Sequence, residues 1–273
     1  MIIKYVNSTG KEINLNQYPY RMLISDLLDY EPEVVQNNGK ILGFNNDIIV
    51  EHELNIDVHK YNGVSSRVWL NKLTDFFNTD VATAIPGRLY INDSYKDCYV
   101  YARDTDRWQT DVVVSCEYKV ISDSLSWIQE QTKQFLPSET SEDTEGLDFP
   151  FDFDFDFAAD QAGVAHWEID HYTSSHFLMR IYGPCENPRI LVNGYPYQVF
   201  TSLASGDYLE INSRKNTVIK YLANGTTENC YNSRLFYPRI FEKIPSGALT
   251  FNWSGAFGFD VVLYIERSEP KWS

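Results

Sequence analysis

Cysteine is scarce in this chain of 273 residues: Cys98, Cys116, Cys185 and Cys230 are far apart and form no C-x-x-C pair. Such spacing carries no redox pair, and a chain this long needs no disulfide framework to fold. Dispersed buried thiols in a reducing compartment are expected. Long apolar runs are missing too. Nothing approaches the ~20 residues that cross a bilayer as a helix, so no membrane association is expected. The opening MIIKYVNSTGKEINLN is polar where an export signal would be apolar, so the expectation is a soluble protein without such a signal. Phosphate-binding loops of the G-x-x-x-x-G-K-[ST] or G-x-G-x-x-G type are lacking. Ser254 in NWSGAFG has a neighbouring glycine but not the G-x-S-x-G elbow of a hydrolase. Helical patterns are few, which excludes a doubly wound nucleotide-binding fold.

Positive charge is also in short supply. Lys and Arg number 23 against 38 Asp and Glu, a net charge of -15. An acidic chain is repelled by phosphate backbones and anionic membranes, so no nucleic-acid recognition is expected. The same repulsion would suit a channel through which DNA passes without sticking.

Aromatic residues are abundant: 19 Tyr, 16 Phe and 6 Trp. With 43% hydrophobic residues they exclude a disordered chain and favour strands, whose pleated surface suits aromatic side chains. The length suits two modest domains or one large β domain. Along the first half, IIKYVNSTGKEINLN reads as a hairpin turning at Ser8-Thr9-Gly10. YRMLISDLLDYEPEVVQ reads as strand, bulge and strand. Alternation through Ile49, His52, Leu54, Ile56 and Val58 predicts another strand. The one clear helix is SSRVWLNKLTDFFN, capped by Ser65 or Ser66, with Val68, Leu70, Leu73, Phe76 and Phe77 on one face. Pro86-Gly87 follows it, then the strands RLYIN, CYVYAR and TDVVVSCEYKV.

QTKQFLPSETSEDTEGLD is polar and acidic and reads as a linker. The expected organisation is a first domain over 1-135, an acidic linker over 136-148 and a second domain over 149-273. The second half carries AGVAHWEID, SHFLMRIYG, PRILVNG, YPYQVF, DYLEINS, NTVIKYL, ALTFNWS and FDVVLYIER, separated by turns such as Gly183-Pro184, Asn193-Gly194 and Asn224-Gly225. Short strands at that spacing predict an antiparallel sandwich.

Three stretches invite chemistry. In DFPFDFDFDF, strand periodicity turns Asp152, Asp154 and Asp156 one way and Phe151, Phe153, Phe155 and Phe157 the other. Acids ~6.5–7 Å apart along a straight strand do not converge on a cation, so an aromatic-in, acid-out strand is expected there and no metal. HWEIDHYTSSH holds His166, Glu168, Asp170, His171 and His176 without zinc-site spacing. Its acid pair would serve glycoside hydrolysis only in a suitable cleft; surface polarity is the plainer reading. Trp167, Tyr172, Tyr195, Tyr197 and Trp253 are candidate platforms for a sugar ring or a partner, weighed against ordinary core aromatics.

The order of blocks in the second half resembles one family. FPFDFDFDF (149-157), NPRILVNG (187-194), GDYLEINSRKNTV (206-218), the turn Asn224-Gly225, IPSGALTFNWSG (244-255) and FDVVLYIERSEP (259-270) follow one another. This is similar to the distal tail (Dit) proteins of long non-contractile phages and prophages of Gram-positive bacteria. The early strands, the helix and IPGRLYINDSYKDCYVYARD (85-104) resemble the family's ring-forming domain more loosely. The resemblance implies a mainly β chain with one helix in the first domain, a ring-forming N-terminal domain and a C-terminal galectin-like antiparallel β-sandwich. It implies a homohexameric ring with a central channel at the virion tail tip, assembled in the bacterial host cytoplasm. The implied partners are the tail tube protein, the tail-tip or tail-associated lysin protein, and receptor-binding proteins. No catalytic residue and no cofactor or metal carries over. Two other functions compete: a carbohydrate-binding module for host cell-wall sugars, and a glycoside hydrolase.

Overall fold

The structure, a computed structural model, describes residues 1–107, 111–137 and 163–271. The chain divides into two compact units, Met1–Gln129 with Glu266–Ser273, and Glu130–Ile265.

The first unit is built from antiparallel strands and the helix. β1 (Ile3–Val6) turns into β2 (Glu12–Asn14), with Asn7 Oδ1 accepting from the backbone N–H groups of Thr9 and Lys11, as the turn residues lead one to expect. β3 (Tyr20–Ser25) carries a bulge between Met22 and Ser25 where it pairs with β6 (Val50–His59). Between them a separate two-stranded hairpin, β4 (Glu33–Asn37) and β5 (Lys40–Asn45), pairs only with itself. The alternation in β6 places His52, Leu54, Ile56 and Val58 inside, opposite Val120, Tyr118, Cys116 and Val114 of β9 (Val113–Ser122). Ile49, expected to begin this pattern, is exposed.

Helix α1 runs Ser66–Thr83, five residues beyond the expected end. Ser65 caps it, its Oγ accepting from the Arg67 N–H at 3.3 Å, and Ala84 closes it in the left-handed region at φ 52°. Leu70, Leu73 and Phe77 face the core and Phe76 packs against it, whereas Val68 faces solvent. The extra turn brings Asp80 into the interior, where it accepts from the Tyr5 hydroxyl at 2.7 Å and the Ser8 N–H at 2.7 Å. β7 (Gly87–Ile91) starts at the one residue that can sit against this pair: a Cβ on Gly87 would lie 2.4 Å from Asp80 Oδ2. β7 lines up with β1, Leu89 opposite Tyr5 and Ile91 opposite Ile3, and then with β8 (Ser94–Arg107).

β10 (Trp127–Phe135) takes the chain from the first unit into the second. Its second half, Gln131–Phe135, was expected to close the first domain but falls in the second unit. It is a strand because Phe135 is a core residue, stacked on Phe259 at 4.4 Å and in ring contact with Phe251 at 4.5 Å. Most of the expected acidic linker and the whole DFPFDFDFDF stretch lie outside the described residues.

In the second unit, β11 (Gly163–Ile169), β12 (His176–Tyr182), β13 (Cys185–Glu186), β14 (Arg189–Val192) and β15 (Tyr195–Gln198) come first. β16 (Ser202–Leu203), β17 (Tyr208–Asn212), β18 (Thr217–Tyr221), β19 (Thr227–Asn229), β20 (Gly247–Trp253) and β21 (Phe259–Arg267) follow. One sheet runs β19-β18-β17-β12-β21-β10 and the other β11-β20-β14-β15. Their inner faces share one core that includes Phe177, Met179, Ile190, Leu209, Phe251 and Val261. This is the antiparallel β-sandwich that the strand spacing predicts. Asn193 and Gly194, at φ 48° and 82°, form the two-residue hairpin turn between β14 and β15. The chain is therefore mainly β, with α1 the single α-helix among the described residues.

Candidate functional site

The five candidate aromatic residues all fall in the second unit but do not share one surface. Tyr197 and Trp253 lie in the core, which corrects the reading of their rings as platforms. Each has a polar atom that the interior satisfies. The Tyr197 hydroxyl donates to the Glu242 carbonyl at 2.9 Å, and the Trp253 indole N–H donates to the Phe257 carbonyl at 3.0 Å. Burial pushes the Tyr197 hydroxyl well above the ordinary tyrosine range. Trp253 is further pinned by Gly163, whose missing side chain leaves room for the indole. Trp167 and Tyr195 are half-buried against the same core, and Tyr195 donates to the Arg239 carbonyl at 2.7 Å. Tyr172 alone is widely exposed, its ring 4.3 Å from that of His171.

The broader aromatic surface lies elsewhere, in the loop between β19 and β20. Phe236 and Tyr237 are 65% and 90% exposed. The Arg234 guanidinium lies over two rings, 3.6 Å from the centre of Tyr231 and 4.4 Å from that of Phe236. Arg239, two residues beyond Tyr237, donates to Asn216 Oδ1 at 2.9 Å. The signal in the sequence was Phe-Tyr-Pro between two arginines, Arg234 and Arg239. It reads as a strand fragment unless Tyr237-Pro238 is taken as a break in pairing.

Among the described residues the acids show no catalytic constellation. His166 and Glu168 alternate outward along β11, and Asp170 just beyond it is also exposed. His166 Nδ1 meets Thr250 Oγ1 at 3.3 Å, and Lys133 Nζ donates to the His166 carbonyl. A glycosidase acid is held protonated by a pKa raised toward neutrality. Glu51 and Asp207 are displaced the other way. The Lys119 ammonium at 2.6 Å and the Tyr101 hydroxyl hold Glu51 low; the backbone N–H groups of Ala223 and Ala204 hold Asp207 low. Among the described residues no cluster of His, Cys, Asp or Glu could hold a metal ion.

Three shallow grooves lie among the described residues. One in the second unit, about 410 Å³, is lined by Cys185, Asn187, Arg189, Leu191 and Asn252. A second, about 330 Å³, lies beside Phe135, Pro137 and Tyr182. Burial and a 2.6 Å hydrogen bond to Asp260 push the Tyr182 hydroxyl up to about 12, so it stays protonated and is no base. The first unit has a groove of about 290 Å³ beside Asp97, Cys98 and Ser122. Burial likewise raises the Cys98 thiol, to about 12, so it is not a nucleophile at neutral pH. The four cysteines are free, and three of them are buried.

No protein-family model matches the chain, and no curated protein sequence matches it. Solved structures do match over nearly the whole length. A chain of the phage P2 baseplate in its activated conformation with Ca aligns with a TM-score of 0.62 at 13% identity, covering 98% of this chain and 99% of that one. The SPP1 Dit protein, described as a paradigm of the hub adsorption apparatus in phages infecting Gram-positive bacteria, aligns with a TM-score of 0.61 at 8% identity, covering 98% and 100%. A baseplate chain from phage p2 with Sr gives a TM-score of 0.60 at 13% identity, covering 98% and 99%. The chain has a Dit-like fold from end to end.

Proposed function

We propose that this chain is a distal tail protein, the baseplate hub of a siphophage or prophage. It forms a homohexameric ring that joins the tail tube to the tail-tip or tail-associated lysin protein and anchors receptor-binding proteins. The observation that carries this reading is the whole-length match to the SPP1 hub protein, with both chains covered almost completely. A match over one sandwich would support little, because sandwiches serve many functions. In this reading the ring is made by the N-terminal domain, and the C-terminal galectin-like domain provides attachment surface. The protein is not an enzyme, it acts at the tail tip, and DNA passes its channel without being recognised. The net charge of -15 supports such passage.

The test is mass and shape. Six copies of the 31.7 kDa chain weigh about 190 kDa. Light scattering at that mass, with six-fold rings in negative-stain images, is the expected result. A protein that stays monomeric both alone and with its tail tube partner would overturn the reading.

A second reading, binding of cell-wall sugars by the sandwich, is favoured by the exposed rings of Phe236 and Tyr237. Saturable binding on a glycan array, lost in a Tyr237→Ala variant, would establish it. Uniformly blank arrays would dismiss it.

A further inference from the structure

The β4–β5 hairpin of the first unit is an anomaly in a soluble chain. Val34, Val35, Ile41, Leu42 and Phe44 expose between 43% and 67% of their surfaces. They occupy both strands of a hairpin that no third strand joins. An isolated two-stranded hairpin is marginally stable in water. Register places Val34, Ile41 and Phe44 on one face of the hairpin and Val35 on the other; together the five side chains expose on the order of 500 Å² of apolar surface, near the upper limit of what a monomer exposes without a partner. The hairpin is also neutral. Residues 33–45 carry one acid, Glu33, and one base, Lys40, in a chain of net charge -15. Another acidic molecule can approach it without local repulsion.

A second apolar patch lies at the far end of the next strand. β6 begins at Val50, just after the hairpin, and ends nine residues later at His59, about 30 Å away. There Tyr18 stacks on Tyr61, with ring centres 6.0 Å apart, and leans on His59 at 5.1 Å. Tyr18 and Tyr61 are both exposed, as is Val112, whose carbonyl accepts from the Lys60 N–H. The base of the hairpin is fixed by contrast: the Asn46 carbonyl accepts from the Leu125 N–H at 2.9 Å, and Asn46 Oδ1 accepts from the Tyr30 hydroxyl at 2.7 Å.

We propose that the β4–β5 hairpin of one copy docks on the Tyr18–Tyr61 face of a second copy, joining subunits head to tail. This deepens the ring reading above and rests on it. Two different apolar patches at opposite ends of one unit are what a heterologous, repeating contact needs. A foreign partner would account for one patch and leave the other bare. An interface of standard size takes ~800 Å² from each side, and the hairpin side chains supply more than half of that.

The test uses the full chain in a Cys185→Ser background, which removes the one cysteine that is not buried. One variant carries Leu42→Cys on the hairpin and a second carries Tyr61→Cys on the aromatic face. Under mild oxidation the mixture is expected to form disulfide-linked dimers at least ~10-fold faster than either variant alone, because docking raises the effective concentration of the two thiols. Equal rates for the hairpin variant alone would show a like-to-like contact and overturn the proposal, as would absence of linkage in the mixture. A Leu42→Asp/Phe44→Asp variant separates this proposal from the ring itself. If it folds and still forms rings, the hairpin contact is refuted and the ring stands. If mixed linkage occurs but images show open chains and no closed ring, the contact stands and the hexameric reading falls.

Discussion

Replacing Lys96 by methionine is expected to stabilise the first unit at neutral pH. Lys96 is only 1% exposed, and its Nζ makes no hydrogen bond; the ammonium sits 5.2 Å from the centre of the Trp127 ring. Burial lowers its pKa from 10.5 to about 8, against the opposing pull of Cys98 and Asp26. The folded state therefore holds this proton less tightly than the unfolded chain does. Below about pH 8 both states carry the charge, and the folded one bears its full desolvation cost. Between about pH 8 and 10.5 the unfolded chain binds more protons, so this group makes stability rise with pH. A gap of ~2.5 pH units corresponds to about 3 kcal/mol. Lys96→Met should thus be more stable than the parent by about 3 kcal/mol at pH 7, or roughly 10 °C in the melting temperature of that unit. The advantage should shrink by a similar amount by pH 11. Groups that titrate in alkali without coupling to Lys96 are common to both proteins and cancel in the difference; Cys98, whose thiol the Lys96 charge lowers, does not. The assay is urea unfolding of both proteins at several values from pH 7 to 10.5, followed by tryptophan fluorescence. His52 offers an independent readout. Burial first, and the Lys96 charge second, lower its pKa, so the imidazole resonances should titrate at higher pH in the variant. A methionine variant less stable at pH 7, or a difference that does not change with pH, would refute the reasoning.

Gly87→Ala should destabilise the first unit by about 2–3 kcal/mol, because its Cβ meets Asp80 and Tyr5 at 2.4 Å; calorimetry would show it, and a neutral result would mean that β7 shifts freely. Tyr197→Phe should cost about 1 kcal/mol by leaving the Glu242 carbonyl unpaired, measured by chemical unfolding of the sandwich. Asp207→Asn should weaken the second unit at neutral pH. Asp207 is held below its ordinary 3.8, so its contribution is present above that value and fades as pH falls through the folded pKa. Acid titration of both proteins should therefore converge at low pH, and parallel curves would exclude the carboxylate as the cause.

The sandwich was legible because its strands are buried on one face and end in turn dipeptides. β17 and β20 alternate, and Asn193-Gly194 declares its hairpin. The helix was visible, but its last turn was not, since Asp80 looks like a surface residue until Tyr5 and Ser8 are found beside it. Lys96 was readable in principle. It alternates with Ser94, Cys98 and Val100, which puts it on the inner face of β8, yet a lysine there contradicts every expectation of burial. Of the aromatic candidates weighed against ordinary core aromatics, Tyr197 and Trp253 belong to the core. They satisfy their polar tips against backbone carbonyls indoors, Tyr197 at Glu242, 45 residues on, and Trp253 at Phe257, four residues on. The β4–β5 hairpin reads as ordinary strands, because nothing local reveals that its apolar residues face no third strand.

The division of the chain bears on inheritance as well as on folding. The first unit is written in two pieces, Met1–Gln129 and Glu266–Ser273, with the second between them. A stop codon anywhere in the second unit therefore also deletes part of the first. Recombination that swaps the sandwich between relatives must cross over twice, once near Gln129 and once near Ile265. Selection for an intact first unit then acts on codons downstream of the sandwich, so a frameshift anywhere in the sandwich reading frame damages both units at once.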